Sequence, residues 1–338
     1  MSQDRAEPGV SPEGPPRQEW TLDAPRVLDV GGEGERVASL RVVVVGGRVD
    51  VVTHDDSPTA RVEVTSVTGL PVQVRWDGST LSVTHGKDGD PNLLQMLRRT
   101  VESFIGNSVA LSISVPVSTD TSVSTVGAAA LLSGLRGHVR ANTVSGSMTL
   151  SDLQGELDLN TVSGDVECLQ LTGALKVNAI SGGVTVQAGD LPSVRINTVS
   201  GDIALDLTSG RCDLSSKSVS GDITVRAPLV GFDVEASTAS GQVVVDGTTV
   251  GSGNEHGKGR GGHLEHGDGA LKVRAHSVSG NLVVLRTTAS AAPTPADTAA
   301  PSPSSHPQDH PAGWGPDDPW SEQGRRGWRD FPEPGAPA

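Results

Sequence analysis

The chain has 338 residues, among them 42 glycines and 22 prolines, and only 35% are hydrophobic, so much of its length is turn or tail rather than packed core. Aromatic residues make up 2% and tyrosine is absent, which leaves Val, Leu, Ile and Ala to build any interior. With 26 basic against 40 acidic residues, net −14, the chain lacks the concentrated positive surface that nucleic acid or an anionic membrane requires.

Residues 1–24 hold Pro8, Pro12, Pro15 and Pro16 among charges and small side chains, and read as a disordered leader. It shows no basic end followed by an apolar stretch. No run reaches the roughly 18–20 apolar residues of a membrane span, so a cytoplasmic location is expected. The two cysteines, Cys168 and Cys212, have no metal-ligand spacing and indicate no disulfide framework.

Residues 25–107 predict a β-rich N-terminal unit. VASLRVVVVGGRVDVVT at 37–53 reads as two strands about a Gly46-Gly47 turn, followed by strands in ARVEVTSV, PVQVRW and STLSVTH. NLLQMLRRTVESFI at 92–105 breaks this pattern. It places Leu93, Leu94, Leu97, Val101, Phe104 and Ile105 near one helical face, predicting a helix or loop over an open end of the sheet.

From 108 to 288 the chain repeats a Ser-Gly pair, as in NTVSGS, NTVSGD, NAISGG and KSVSGD. The glycines are Gly146, Gly164, Gly182, Gly201, Gly221, Gly241 and Gly280, at intervals of 18, 18, 19, 20, 20 and 39. The last interval reads as two turns of the same period, interrupted by a Gly- and His-rich insertion at 251–269. Such periods signal stacked units that cannot bury their apolar faces alone.

Seven residues before each glycine stand Val139, Leu157, Leu175, Val194, Leu214, Val234 and Val273. Two after it stand Met148, Val166, Val184, Ile203, Ile223, Val243 and Leu282. Both columns must point inward. The residues next to the first column, from Arg140 and Asp158 to Arg274, are polar and must face water. Each coil is thus strand, Ser-Gly turn, strand and a second turn often marked by glycine (Gly137, Gly155, Gly173), and the fold class is all-β, a β-solenoid of about 18–20 residues per coil.

Two polar columns follow from the same alignment. One holds Asn142, Asn160, Asn178 and Asn197; the other Ser145, Ser163, Ser181, Ser200, Ser220, Ser240 and Ser279. Identical polar side chains in register can hydrogen-bond along a stack, and both columns read as structural ladders.

The repeated TVSGD after alternating strands, preceded by the LSISVPVST strand, resembles the bacterial β-strand-repeat family labelled "putative adhesin", a domain of unknown function, over roughly residues 37–288. That resemblance implies a β-solenoid and a link to cell-envelope or stress contexts. It supplies no catalytic or binding residue.

Chemistry-bearing residues are sparse. Asp165, Asp202 and Asp222 read as solvated turn residues, since Ser147, Gly183, Gln242 and Asn281 interrupt their column. The insertion holds His256, His263 and His266 with Glu255, Glu265 and Asp268, yet reads as a mobile loop rather than a metal centre. Cys168 falls in an inward column and reads as core. No nucleophile elbow or phosphate-cradling loop occurs, so no enzyme activity and no cofactor are expected.

Residues 289–338 hold half of the prolines and predict a disordered tail. Trp314, Trp320, Trp328 and Phe331 in that tail are the candidate contact for an unidentified protein partner. The expected function is a non-catalytic scaffold or interaction protein. Two alternatives are a self-assembling rod similar to bactofilins and an adhesin-like surface binder.

Overall fold

A computed structural model describes residues 18–32, 34–85, 106–250 and 260–287, all within one contact unit, residues 1–290. The predicted helix at 92–105 and the tail tryptophans lie outside the described residues. What is described is all-β. Seven strands come first: β1 (Gln18–Leu22), β2 (Arg26–Val30), β3 (Ser39–His54), β4 (Ala60–Thr68), β5 (Val72–Trp76), β6 (Thr80–His85) and β7 (Ser108–Pro116).

The repeat region follows with β8 (Asp120–Ser133), β9 (Val139–Thr143), β10 (Met148–Ser151), β11 (Gln154–Thr161), β12 (Val166–Leu169), β13 (Thr172–Ala179), β14 (Val184–Ser200), β15 (Ile203–Leu207), β16 (Cys212–Ser220) and β17 (Ile223–Pro228). It closes with β18 (Phe232–Ser240), β19 (Val243–Val245), β20 (Thr248–Val250), β21 (Arg260–His266), β22 (Leu271–Ser279) and β23 (Leu282–Thr287).

The strands form two hydrogen-bonded ladders, one on each side of the Ser-Gly corner. Before the corner the order is β1, β5, β6, β3, β8, β9, β11, β13, β14, β16, β22, β18, β21. After it the order is β2, β4, β7, β3, β8, β10, β12, β14, β15, β17, β23, β19, β20. β3, β8 and β14 contribute to both ladders, so the chain climbs in tiers. Within the tiers pairing is parallel; β1, β2, β4, β5, β20 and β21 add antiparallel strands at the two ends.

Alternation sets the core. Leu157, Leu159 and Thr161 point inward on β11, between half-buried Asp158 and Asn160, and the same phase recurs in every tier. Both predicted inward columns are buried, from Val139 (1% exposed) to Leu282 (4%). At roughly 25 cal/mol per Å² of apolar surface, this continuous aliphatic seam is the main stabilising term. Among the described residues, no Trp, Tyr or Phe interrupts it between Trp76 and Phe232.

The corner glycines have a steric cause. A Cβ on Gly164 would stand 2.0 Å from the Gly146 carbonyl oxygen, and one on Gly201 2.2 Å from that of Gly182. Tiers approach each other through bare backbone at this corner.

Three expectations need correction. Gly46-Gly47 is not a hairpin turn: the two halves of β3 do not pair with each other, and Gly46 lies in register with Gly127. It is the corner of a first tier, so parallel stacking starts well before the visible repeat. The last interval is not two successive turns either. β22 lies between β16 and β18, and β23 between β17 and β19, so the final tier is inserted beneath the one that precedes it in sequence. Finally, the insertion is not all loop: Arg260–His266 is a strand, β21, antiparallel to β18.

Candidate functional site

The asparagine column runs along one face of the stack. Asn160 Nδ2 donates to Asn142 Oδ1 at 3.0 Å, Asn178 to Asn160 at 2.8 Å and Asn197 to Asn178 at 3.0 Å; Asn142 continues the chain to Ser124 Oγ at 3.2 Å. Each half-buried amide is thus occupied by its neighbours. The serines behave differently. Ser145 and Ser163 donate to the carbonyls of Val126 and Val144 in the tier below, at 3.0 and 3.1 Å, rather than to one another.

Between these columns lie two further ones. The first is buried: the hydroxyls of Thr143 and Thr161 donate to the carbonyls of Gly146 and Gly164 and accept from the same residues' N–H, closing the turn from inside. The second is exposed. Val162, Ile180, Val199, Val219 and Val278 stand 39–55% exposed, and they are five of the seven large hydrophobics exposed among the described residues.

Strand register stacks these five in that order, since Thr198 and Ser200 pair with Ser218 and Ser220, which pair with Ser277 and Ser279. The result is an aliphatic ridge. Beside it, a groove of about 390 Å³ runs between Asn142, Asn160, Asn178 and Asn197 on one wall and Val162, Ile180 and Val199 on the other. Singly exposed valines need no explanation, whereas these five form a contiguous apolar row.

The sequence pattern of the family described as Toastrack DUF4097 matches residues 42–285, well over half of the chain. The chain belongs to the Toastrack DUF4097 family. No curated protein matches it. Among solved structures it is similar to a "putative adhesin" from Parabacteroides merdae (11% identity, TM-score 0.41, covering 78% of this chain and 97% of that one). It is also similar to a "putative lipid binding protein" from Parabacteroides distasonis (13%, TM-score 0.37, 78% and 97%) and a "putative cell adhesion protein" from Clostridium sporogenes (11%, TM-score 0.25, 78% and 100%).

In this Toastrack chain the aspartates after the Ser-Gly pairs are more than solvated turn residues. Asp165 Oδ1 accepts from Gly183 N at 2.8 Å, Asp202 from Asp222 N at 2.9 Å, Asp222 from Asn281 N at 2.8 Å, and Asn281 from Gln242 N at 3.0 Å. Each tethers the tier above, satisfying a backbone donor that a sharp corner leaves without a ladder partner.

The remaining candidates separate. Cys168 and Cys212 are buried, and burial, reinforced by the adjacent Glu167 and Asp213 carboxylates, pushes each thiol up to about 12, so neither forms a thiolate near neutral pH. His263 Nε2 meets Asp233 Oδ1 at 2.8 Å, while His266 stacks on Phe232 with ring centroids 5.8 Å apart. Three residues apart on one strand, the two histidines face opposite ways. His256 and Glu255 lie outside the described residues, as do Trp314, Trp320, Trp328 and Phe331.

Proposed function

We propose that this Toastrack protein is a non-catalytic β-solenoid scaffold whose working surface is the aliphatic ridge and its asparagine-walled groove, offered to an apolar strip on a protein partner. The exposed row of Val162, Ile180, Val199, Val219 and Val278 carries this reading. Aliphatic side chains held at strand spacing, roughly 4.8 Å apart, form a straight preordered contact line, and preordering lowers the entropic cost of association. The amides beside it already bond to one another, so covering them leaves few donors or acceptors stranded.

Two observations favour a discrete scaffold over an end-to-end polymer. The outer neighbour of β18 is antiparallel β21, whose outward residues include His263 and Glu265, and that of β19 is antiparallel β20. Polar and charged edge strands disfavour further pairing.

The test is photo-crosslinking in cells. A photoreactive residue at Val199 is expected to give discrete protein adducts that disappear when Ile180 and Val219 become serine. The same probe at Leu229, which is exposed away from the ridge, gives none. Equal labelling at Val199 and Leu229, or adducts indifferent to the serine changes, would sink the proposal.

A further inference from the structure

Leu271–Thr287, the segment that forms β22 and β23, fills a slot whose walls both come from earlier in the chain. β16 and β17 form one wall, β18 and β19 the other, and every pairing is parallel. Leu271, Val273, Ala275, Leu282 and Val284 are at most 4% exposed inside it.

The slot is chemically selective. Lys272 stands opposite Asp213 on one side and Asp233 on the other, and Arg274 stands opposite Glu235. If β18 packed directly on β16 by the repeat register, Asp233 would lie opposite Asp213, a like-charge pair across neighbouring strands. The carboxylates of Asp213, Asp233 and Glu235 therefore favour a strand carrying two alternate basic residues. At the corner the selection is steric, because a Cβ on Gly280 would meet the Gly221 carbonyl oxygen at 2.2 Å, and one on Gly241 would meet that of Gly280 at 2.0 Å.

Nearly all that holds the tier comes from the walls. Asn281 links Asp222 to Gln242, and Arg286 reaches Asp246 and the Val230 carbonyl while lying over the Phe232 ring. The connection to β21 is only Gly267–Ala270, with Gly267 and Gly269 at φ of 72° and 63°, and it crosses from the outer edge of β18 to its inner edge over Gly231.

We infer that Leu271–Thr287 is an exchangeable tier and that the slot is a docking site for the same tier of a second copy of this chain. Opening the four-residue hinge preserves every wall contact in the exchanged pair. It gives up only the contacts of the crossing itself, such as Cys212 N donating to the Ala270 carbonyl. A swap of an identical element then differs from the closed monomer chiefly by hinge geometry and protein concentration.

Cys212 on β16 lies directly opposite Leu271 on β22, so a second thiol at 271 falls at the neighbouring-strand spacing that a disulfide can span. Two full-length chains are made in a Cys168→Ala background. One carries Leu271→Cys with Cys212→Ser; the other keeps Cys212 and Leu271. They are unfolded together, refolded at low and high concentration and oxidised.

Exchange predicts a covalent heterodimer joined between positions 212 and 271, its fraction rising in proportion to refolding concentration. A single chain with Leu271→Cys and native Cys212 is the control and closes internally at low concentration. If the control closes while the mixture stays monomeric at every concentration, the inference fails. Sedimentation velocity of the unaltered chain refolded at high concentration gives an independent reading. A dimer that survives dilution and reverts only through denaturant supports exchange; a monomer, or a dimer that dissociates on dilution, overturns it.

Discussion

Gly280 rests on Gly221 rather than on Gly241: a Cβ added to it would stand 2.2 Å from the Gly221 carbonyl oxygen, whereas Gly241 in turn rests on Gly280. This single contact fixes the order of the last tiers. It also shows how closely the tiers approach at this corner, where from Gly146 onward backbone meets backbone.

The first prediction concerns that corner. Gly164 has no unusual φ, so Gly164→Ala tests tier contact alone, with its Cβ 2.0 Å from the Gly146 carbonyl. Loss of about 3 kcal/mol is expected in denaturant unfolding. Gly127→Ala, whose Cβ would meet nothing closer than 3.7 Å, is expected to stay within about 0.5 kcal/mol of the parent.

The asparagine ladder gives a graded series. Asn160 both donates to Asn142 and accepts from Asn178, whereas among these amides Asn197 makes only the bond to Asn178. Asn160→Ala should cost about 2 kcal/mol and Asn197→Ala about 1, since a truncated centre strands two partly buried partners and a truncated end strands one. Equal costs at the two positions would show that the ladder does not act as a chain of bonds.

His85 is fully buried on β6, and desolvation lowers its pKa from 6.5, only partly opposed by a hydrogen bond with the Leu70 backbone. Well above pH 6.5 the imidazole is neutral whether the chain is folded or not. As pH falls below 6.5 the unfolded chain takes up a proton that the folded one refuses. Stability therefore declines, by up to about 1.4 kcal/mol per pH unit, until the lowered folded value is reached. His85→Leu should flatten this acid-side slope in melts between about pH 6.5 and 5.

Charge in the inserted tier should control its seating. Lys272→Glu with Arg274→Glu places carboxylates opposite Asp213, Asp233 and Glu235, and the melting temperature is expected to fall by several degrees. These side chains are largely solvent-exposed, so about 1 M salt should recover much of the loss. A loss unaffected by salt would point to disturbed packing instead.

At the second corner three stacked residues, Asp152, Gln170 and Ala188, hold left-handed backbone at φ of 49°, 54° and 53°. Ala188→Gly should raise stability by up to about 1 kcal/mol in denaturant titration, because removing Cβ relieves that conformation.

Much of this was legible in the sequence, for a physical reason. Alternation fixes the direction of a side chain once one inward residue is known, so Val139 and its equivalents placed the seam. The ridge was within reach of the same rule: counting in twos from Leu157 puts Leu159 and Thr161 inside and Val162 outside. It was missed because a valine invites burial by its chemistry while its position exposes it. The first tier was hidden because Gly46-Gly47 has the composition of a hairpin turn and lacks the Ser-Gly mark. The inserted order of the last tiers left only one trace, the basic pair Lys272 and Arg274 among acidic neighbours, since the inward columns fit any order of stacking equally well.

Placement of the final tier also bears on how the protein is made. A ribosome delivers Phe232–Val245 before Leu271–Thr287, yet the later segment belongs beneath the earlier one. The far end therefore cannot be completed in the order of synthesis, and must wait, partly unassembled, until Thr287 has emerged. A chain ended between Val245 and Leu271 would hold Asp213 and Asp233 on strands left without the basic strand that lies between them in the complete protein.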